Sequence, residues 1–593
     1  MATWLDKPLE EMKEDLSKRD FPKELQDVLE KLESEAKRAP LLKHIKSSLT
    51  AYELMKNGVK SYQDCLFLFE YLSELEEMKI KKKKCKSVKD LKIFNDPIHG
   101  HIQLHPACQM IVDTPEFQRL RDIKQLGTVY FVYPGAAHNR FEHSLGVCHL
   151  AGQFTRALRE SQPELGITDV DILCVEIAGL CRDIGHGPFS RLYVSKFLPA
   201  INKDIRYRKP SAQMFEHLLR ENDLKVRLQL YGLEDVDIQF IKEQLEGAQP
   251  TGSTAWPYTG RTKEKAYLYE IIVNNRNGID VYKWDYLARD CHHLGIKNNF
   301  DPSRYMKFAR VIEAEGEIQI CIRDKEISNL YNMFYTRYTV NKFAYFHRVT
   351  CGIELMIIRA FVKANNHIRY KGKEDTEALN EDEGRPKSLD FGIYDCHKNM
   401  AAFTKLTDSV LFTIRTIELP DKPPEEKDEK QRWEDLKEAK EIIERIFHRD
   451  LFTCVYESQP RAPKDLRKSL DIVEKTDIEE TVFQKMKDKT ELGEQDIIVK
   501  VISLHFGMKE ENPVERLKVY SKQSLNEARH LKKEEASRIL GPVNFNEVLV
   551  RIYSTLSKYK DKDLVEDRSR LIRKAADEIL EVKPDPKTPQ PET

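Results

Sequence analysis

Two segments in the first third of the chain hold residue types suited to binding a metal ion or a phosphate. They are Ala137-His138-Asn139-Arg140-Phe141-Glu142-His143-Ser144-Leu145-Gly146 and Gly179-Leu180-Cys181-Arg182-Asp183-Ile184-Gly185-His186-Gly187-Pro188-Phe189-Ser190. Both set imidazoles, a carboxylate and arginines at the edges of apolar helical runs. A divalent ion that activates water and clamps a phosphate needs several neutral imidazoles and ionised carboxylates converging on it. His143 and Asp183 are of that type. Arg182 is not: its guanidinium stays protonated at physiological pH, cannot ligate, and repels a cation. The segments point to phosphate chemistry and leave open whether its metal half survives.

The elements that must position these residues come from a chain of 593 residues, 40% hydrophobic and 9% aromatic, enough for a sizeable core and more than one domain. Lys plus Arg total 97 against 98 Asp plus Glu, so no global charge drives the chain toward nucleic acid or membrane. The 11 cysteines form no CxxC pair, and the opening Met1-Ala2-Thr3-Trp4-Leu5-Asp6 begins no apolar export segment. No run approaches the roughly 20 apolar residues a spanning helix needs. The expectation is a soluble protein of nucleus or cytoplasm, with no membrane partner.

In order, residues 1–78 read as a helical bundle, whose stretch from Leu49 to Tyr62, followed by Leu66-Phe67-Leu68-Phe69, resembles the end of a SAM domain. Residues 79–91 are a basic linker containing Lys81-Lys82-Lys83-Lys84. Helical periodicity dominates 92–420, most clearly over Val170–Cys181, Tyr267–Val273 and Ile327–Ala364, the last long enough for one central helix. On such a helix Arg337, Asn341, Tyr345 and Arg348 share a face. Residues 421–432 read as an exposed loop before a helix at Trp433–Phe447. The lobe at 433–580 reads as mixed α and β: strands over Asp496–Leu504 and Arg516–Tyr520, helices near Lys533–Ile539 and Phe545–Tyr559. The Pro-rich tail 581–593 is expected to be disordered. The fold class expected is mostly α, a helical core with a smaller mixed α/β C-terminal lobe and an N-terminal helical bundle.

Further blocks follow in a set order: Asn95-Asp96-Pro97-Ile98-His99-Gly100, Asp113-Thr114-Pro115-Glu116-Phe117-Gln118-Arg119-Leu120-Arg121, Asn277-Gly278-Ile279-Asp280 and Ala288-Arg289-Asp290-Cys291-His292-His293-Leu294-Gly295. With the two opening segments they resemble the SAM-and-HD-domain deoxynucleoside triphosphate triphosphohydrolases over roughly residues 90–540. The resemblance implies an HD-domain core that cuts dNTP to deoxynucleoside and triphosphate, using a divalent metal such as Fe, Zn, Mn or Mg. Of the family's four metal ligands His143 and Asp183 match, while Arg182 and Tyr282 stand at the other two. A phenol, with a pKa of about 10, is a poor ligand near neutrality. Tyr207 and Arg208 stand where a catalytic His-Glu pair would, and Arg191 where the pocket has a further His. No catalytic residue is certain.

The same resemblance places Gln125 and Leu126 beside the sugar, Arg140, His186, Lys283 and Arg337 at the phosphates, and Tyr286, Asp290 and Tyr345 around the rest of the substrate pocket. Phe346 replaces a Gln near the base. A regulatory GTP site is implied at Asp113, Gln118 and Arg121, with Lys92, Ile93 and Asn95 nearby. An adjoining dNTP site across subunits falls to Val132, Tyr133, Arg304, Arg323, Lys325, His347, Arg348 and Lys522, with Phe343 in place of an Arg. An Asp that accepts from a guanine edge while an Arg donates to it is chemically sound.

The leading reading is a GTP- and dNTP-binding member of this family, catalytically impaired, that forms a nucleotide-dependent dimer or tetramer or joins an active relative. A working triphosphohydrolase with an altered centre, and a scaffold binding RNA or single-stranded DNA, are the alternatives.

Overall fold

The computed structural model describes residues 92–205, 210–247, 256–373, 389–470, 477–493, 495–531, 544–557, 559 and 562–580. The N-terminal bundle, the basic linker, Tyr207, the expected helix Lys533–Ile539 and the tail lie outside them. Residues from Ile93 onward form one compact unit, mostly helical with a smaller sheet-bearing lobe at its C-terminal end. Among the described residues no helix is long and apolar enough to cross a membrane.

The helices that build the core start where side chains can satisfy their free N–H groups. Helix α1 (Arg140–Ser161) opens on a capping box in which the Asn139 side chain accepts from the backbone at Glu142 and Glu142 accepts from the Asn139 N–H. Helix α2 (Asp169–Cys181) opens on the equivalent pair Thr168 and Asp171, and is buried almost throughout. Helix α3 (Val281–Leu294) is capped by Asp280 and ends on Gly295 in the left-handed conformation. Gly146 on α1 is obligatory for close approach: a Cβ there would stand 1.8 Å from Oδ1 of Asp285 on α3.

The expected single helix Ile327–Ala364 is instead two, α4 (Ile327–Val340) and α5 (Arg348–Ala364), separated by a π-turn at Asn341–Tyr345 and a break at Phe346–His347. The wider turn carries one extra residue and shifts the helical phase. The shared face of Arg337, Asn341, Tyr345 and Arg348 is therefore lost. Tyr267–Val273 is also corrected: the 3-10 stretch Lys263–Glu270 covers only its first part. The expected loop at 421–432 is exposed, but helix α6 (Lys427–Phe447) begins inside it.

The strands bring two corrections. Ala309–Ala314 and Glu317–Arg323 form an antiparallel hairpin inside the helical region, closed by Glu315 and Gly316, both at positive φ (57° and 77°), the geometry of a type I′ turn. Lys518–Tyr520 joins this sheet, parallel to Glu317–Arg323. Asn546–Ser554, expected within a helix, is the central strand of an antiparallel sheet between Thr453–Glu457 and Ile497–His505. It is buried on both faces, so it lacks the apolar–polar alternation of a half-exposed strand.

Candidate active site

The floor of the site lies where α1, the turn after α2 and α3 meet. Asp183 and His143 are essentially fully buried. Arg140, at the start of α1, sets its Nη1 2.6 Å from Asp183 Oδ2, and the same nitrogen donates to the Tyr282 hydroxyl at 3.2 Å. The Tyr282 hydroxyl is 3.2 Å from each oxygen of Asp183. His143 Nε2 and His186 Nε2 stand 3.4 Å from the carboxylate. Burial, and after it the Asp183 carboxylate alongside, push the Tyr282 phenol above its usual range. Arg182, adjacent in sequence, turns away and donates to the carbonyl of Leu245.

Behind His143 lies a second buried network. His143 Nδ1 is 2.7 Å from Asp285 Oδ2, His99 Nε2 is 2.6 Å from Asp285 Oδ1, and Arg289 binds both oxygens of Asp285 at 3.0 and 2.9 Å while reaching Asp96 at 2.8 Å. Against the penalty of burial, the Arg289 guanidinium and the two imidazoles hold the Asp285 carboxyl far below the usual carboxylate range. A carboxylate on the far nitrogen of an imidazole is the support a metal-ligating histidine receives. The sequence motifs include Asp96, His99 and Arg289 without giving them a role, and Asp285 stands in none of them, although Asp285 and Arg289 are spaced i, i+4 on one helix.

The loop carrying His186 is fixed from two sides. Arg119 donates to the carbonyls of His186 (2.8 Å), Ile184 (3.3 Å) and Thr404 (3.2 Å), and to that of Leu406. Phe189 and Ser190 are both left-handed, at φ 53° and 57°, a costly conformation for non-glycine residues. It is held by Asp408, which accepts from the N–H of Phe189 (2.5 Å) and of Lys124 (2.9 Å), and by the Ser190 hydroxyl, which donates to Lys124 O at 2.6 Å. Burial pushes the Asp408 carboxyl up to about 7 despite the two donors. Nothing in the sequence marks Asp408 as part of this site.

Of the expected substrate residues, Asp290 and Tyr345 meet: the Tyr345 hydroxyl donates to Asp290 Oδ2, while His138 Nε2 sits 2.6 Å from Oδ1 and stacks on His293 at 4.3 Å. Leu126 and Tyr345 both pack against the small cluster of Val129, Ala136 and Ala344, and the Tyr286 ring lies 5.8 Å from that of Tyr282. Gln125 Oε1 and His143 Nε2 are buried without a hydrogen-bond partner. Three of the four expected phosphate ligands are engaged within the protein, and the fourth, His186, faces Asp183. Lys283 pairs with Asp280 at 2.7 Å, Arg337 donates to the His505 carbonyl, and every guanidinium nitrogen of Arg140 has a protein partner. Arg191 is exposed.

The expected regulatory residues form partial groups. Gln118 accepts from Arg121 at 2.8 Å, and the Arg121 guanidinium lies 3.5 Å over the Phe141 ring, with Asp113 exposed at the preceding helix end. Ile93 and Asn95 lie in a hairpin strand that begins just after the exposed Lys92. Arg304, Arg323 and Lys325 surround the ring of Phe308 at 5.3, 5.9 and 3.8 Å. Val132 packs on the main core, and the Tyr133 ring is 6.1 Å from that of His347. Arg348 and Lys522 are exposed.

This donor set does not fit a divalent ion. Two ligand types remain, and the space beside Asp183 Oδ2 holds a guanidinium nitrogen. Admitting a cation there would require displacing the buried Arg140 guanidinium from its carboxylate. Among the described residues no group of three or more His, Cys, Asp or Glu is arranged to hold a metal.

A helical core that gathers imidazoles, a carboxylate and arginines at one buried floor is the architecture of an HD-domain phosphohydrolase. No protein-family model matches the chain. It is 46% identical over 470 residues to the deoxynucleoside triphosphate triphosphohydrolase SAMHD1 of Gallus gallus, covering 78% of this chain and 72% of that protein. Identity to the Homo sapiens protein of the same name is 42% over 525 residues, 88% and 78% of the two chains. The SAMHD1 homolog of Dictyostelium discoideum is 34% identical over 473 residues, 79% and 78%. The chain belongs to the SAM-and-HD-domain deoxynucleoside triphosphate triphosphohydrolase family.

Proposed function

We propose that this chain binds dNTP and GTP and is impaired in the family's hydrolysis of dNTP to deoxynucleoside and triphosphate. The observation that carries this reading is the closed set of Arg140, Asp183 and Tyr282, in which the carboxylate expected to hold a metal is neutralised by a guanidinium 2.6 Å away. With Arg182 and Tyr282 at two ligand positions, neither water activation nor charge relief on a leaving phosphate has its usual agent. Binding is supported by the buried, unpartnered Gln125 Oε1 and by the Asp290–Tyr345 pair. The regulatory reading draws support from Gln118, Arg121 and the cations around Phe308, and it predicts nucleotide-dependent assembly toward a tetramer that Asp113→Ala abolishes in light scattering.

The test is metal analysis with product analysis on purified protein given GTP and mixed dNTPs. The expected result is less than one tightly held ion per chain and little release of triphosphate. About one ion per chain, lost in His143→Ala and accompanied by triphosphate release, would overturn the reading.

A further inference from the structure

The loop that carries His186 turns at Phe189 and Ser190, two consecutive non-glycine residues in the left-handed region, a conformation that persists only where neighbours hold it. The loop packs so closely on the segment Lys124–Gly127 that a Cβ on Gly127 would stand 2.7 Å from the Phe189 carbonyl oxygen. Arg140 ties the two segments from the pocket floor, donating through Nε to Ser190 Oγ (2.9 Å) and through Nη2 to the Gln125 carbonyl (3.3 Å). Ser190 donates in turn to the carbonyl of Lys124, 66 residues away in the chain, at 2.6 Å. This wall of the pocket is thus one hydrogen-bonded unit.

A second tie comes from a segment that carries none of the expected pocket residues. Asp408 stands at the start of the helix Ser409–Thr416, where an aspartate ordinarily accepts from its own helix, yet its side chain makes no such bond. Oδ1 accepts instead from the Phe189 N–H at 2.5 Å and Oδ2 from the Lys124 N–H at 2.9 Å, so each oxygen holds one of the two segments. The residue is itself anchored by its own N–H, which donates to the Asp122 carbonyl at 3.1 Å. The cations of the same wall are engaged elsewhere: the Arg119 guanidinium on four carbonyls, the Lys124 ammonium on Ala137 O (2.9 Å) and Asn139 Oδ1 (3.1 Å). Asp408 therefore acts as a pair of acceptors for backbone N–H groups, and its hold on the wall is geometric.

We propose that Asp408 is a positioning residue for nucleotide binding: without touching the ligand, it keeps the loop Gly187–Ser190 and the segment Lys124–Gln125 in the arrangement that presents His186 and Arg140 to the pocket. This rests on the reading that the pocket binds dNTP. Released from the carboxylate, Phe189 and Ser190 relax toward right-handed or extended backbone, Ser190 Oγ leaves Arg140, and the wall is ordered in only a fraction of molecules. A ligand that needs the ordered wall then binds with an apparent affinity reduced by that fraction. The loss falls on the association rate, because the contacts made once the ligand is bound are unchanged.

The experiment follows dGTP carrying a fluorescent N-methylanthraniloyl group by stopped flow on the full chain, in an Asp113→Ala background that silences the regulatory site. Asp408→Asn keeps the shape of the side chain but offers one acceptor for two N–H groups. Its association rate is expected to fall about tenfold, as suits the loss of one hydrogen bond that orders the wall, with the dissociation rate and the melting temperature little changed. Hydrogen exchange without nucleotide is expected to quicken over residues 124–127 and 186–191 and not over helix α2, and saturating dNTP to restore the protection. Faster dissociation with unchanged association would mark a direct ligand contact, and unaltered exchange would show a wall ordered without Asp408; either overturns the proposal. If the variant does not fold, exchange resolved by residue in the unmodified chain decides: slow amides at Lys124 and Phe189 support the clamp, and fast exchange at either overturns it. Failure of the unmodified chain to bind the labelled dGTP would instead sink the binding reading, while the exchange measurements still test the clamp, so the two failures are distinct.

Discussion

The two nitrogens of His143 face two different carboxylates, and the contrast separates a scaffold from the site it serves. On the Nδ1 side Asp285 is locked by Arg289 and His99, with Asp96 closing the network. On the Nε2 side Asp183 is 3.4 Å away, and Nε2 has no hydrogen bond. The scaffold that aims the imidazole is complete; the position it aims at is filled by Arg140 and Tyr282. A buried network of this kind holds the fold together whatever chemistry stands beside it, because removing it would strand charges in the core.

Breaking the scaffold side should cost most. Asp285→Asn leaves the buried Arg289 with Asp96 alone and is expected to lower stability by about 3–5 kcal/mol, measured by denaturant unfolding. The same carboxylate sets an acid limit. Its folded pKa is depressed, so its contribution is fully present above the unfolded value of about 4 and is lost as pH falls below that toward the folded pKa. Melting curves between pH 7 and pH 3 should show the loss at the acid end for the unmodified chain and less of it for Asp285→Asn; equal acid losses in the two would refute the assignment to this carboxylate.

Asp183→Asn tests the other side. Arg140 would keep Ser190, Gln125 and Tyr282 as neutral partners, so a smaller loss, about 2 kcal/mol, is expected. A loss equal to that of Asp285→Asn would erase the distinction between the two sides. Tyr282→Phe removes one hydroxyl shared between Arg140 and Asp183 and should cost about 1 kcal/mol. The paired change Arg182→His with Tyr282→Asp should raise metal content before any activity, since Arg191 and Tyr207 remain; metal analysis decides it.

Much of this was legible in the sequence, for reasons that differ by element. Helix α2 and the strand Ile497–His505 were readable because apolar periodicity and β-branched runs announce them. Tyr282 falling beside Asp183 was readable from motif order. The break between α4 and α5 was not, because no Pro or Gly marks the π-turn at Asn341–Tyr345. Asn546–Ser554 was misread because a strand buried on both faces has the same apolar character as a buried helix. Arg140 closing on Asp183 and Asp408 pinning Phe189 depend on chain segments tens to hundreds of residues apart, which no local pattern encodes.

The short strand Lys518–Tyr520 has a consequence for how this protein can be cut. It pairs in parallel with Glu317–Arg323, so the far end of the chain supplies the neighbour of a strand formed some two hundred residues earlier. A fragment ending near residue 420, where composition suggests a natural boundary, would leave the edge of that hairpin sheet unpaired, a template for self-association. The exposed segment just before α6 is a seam in composition only, and truncation there should yield aggregate in place of a smaller folded core.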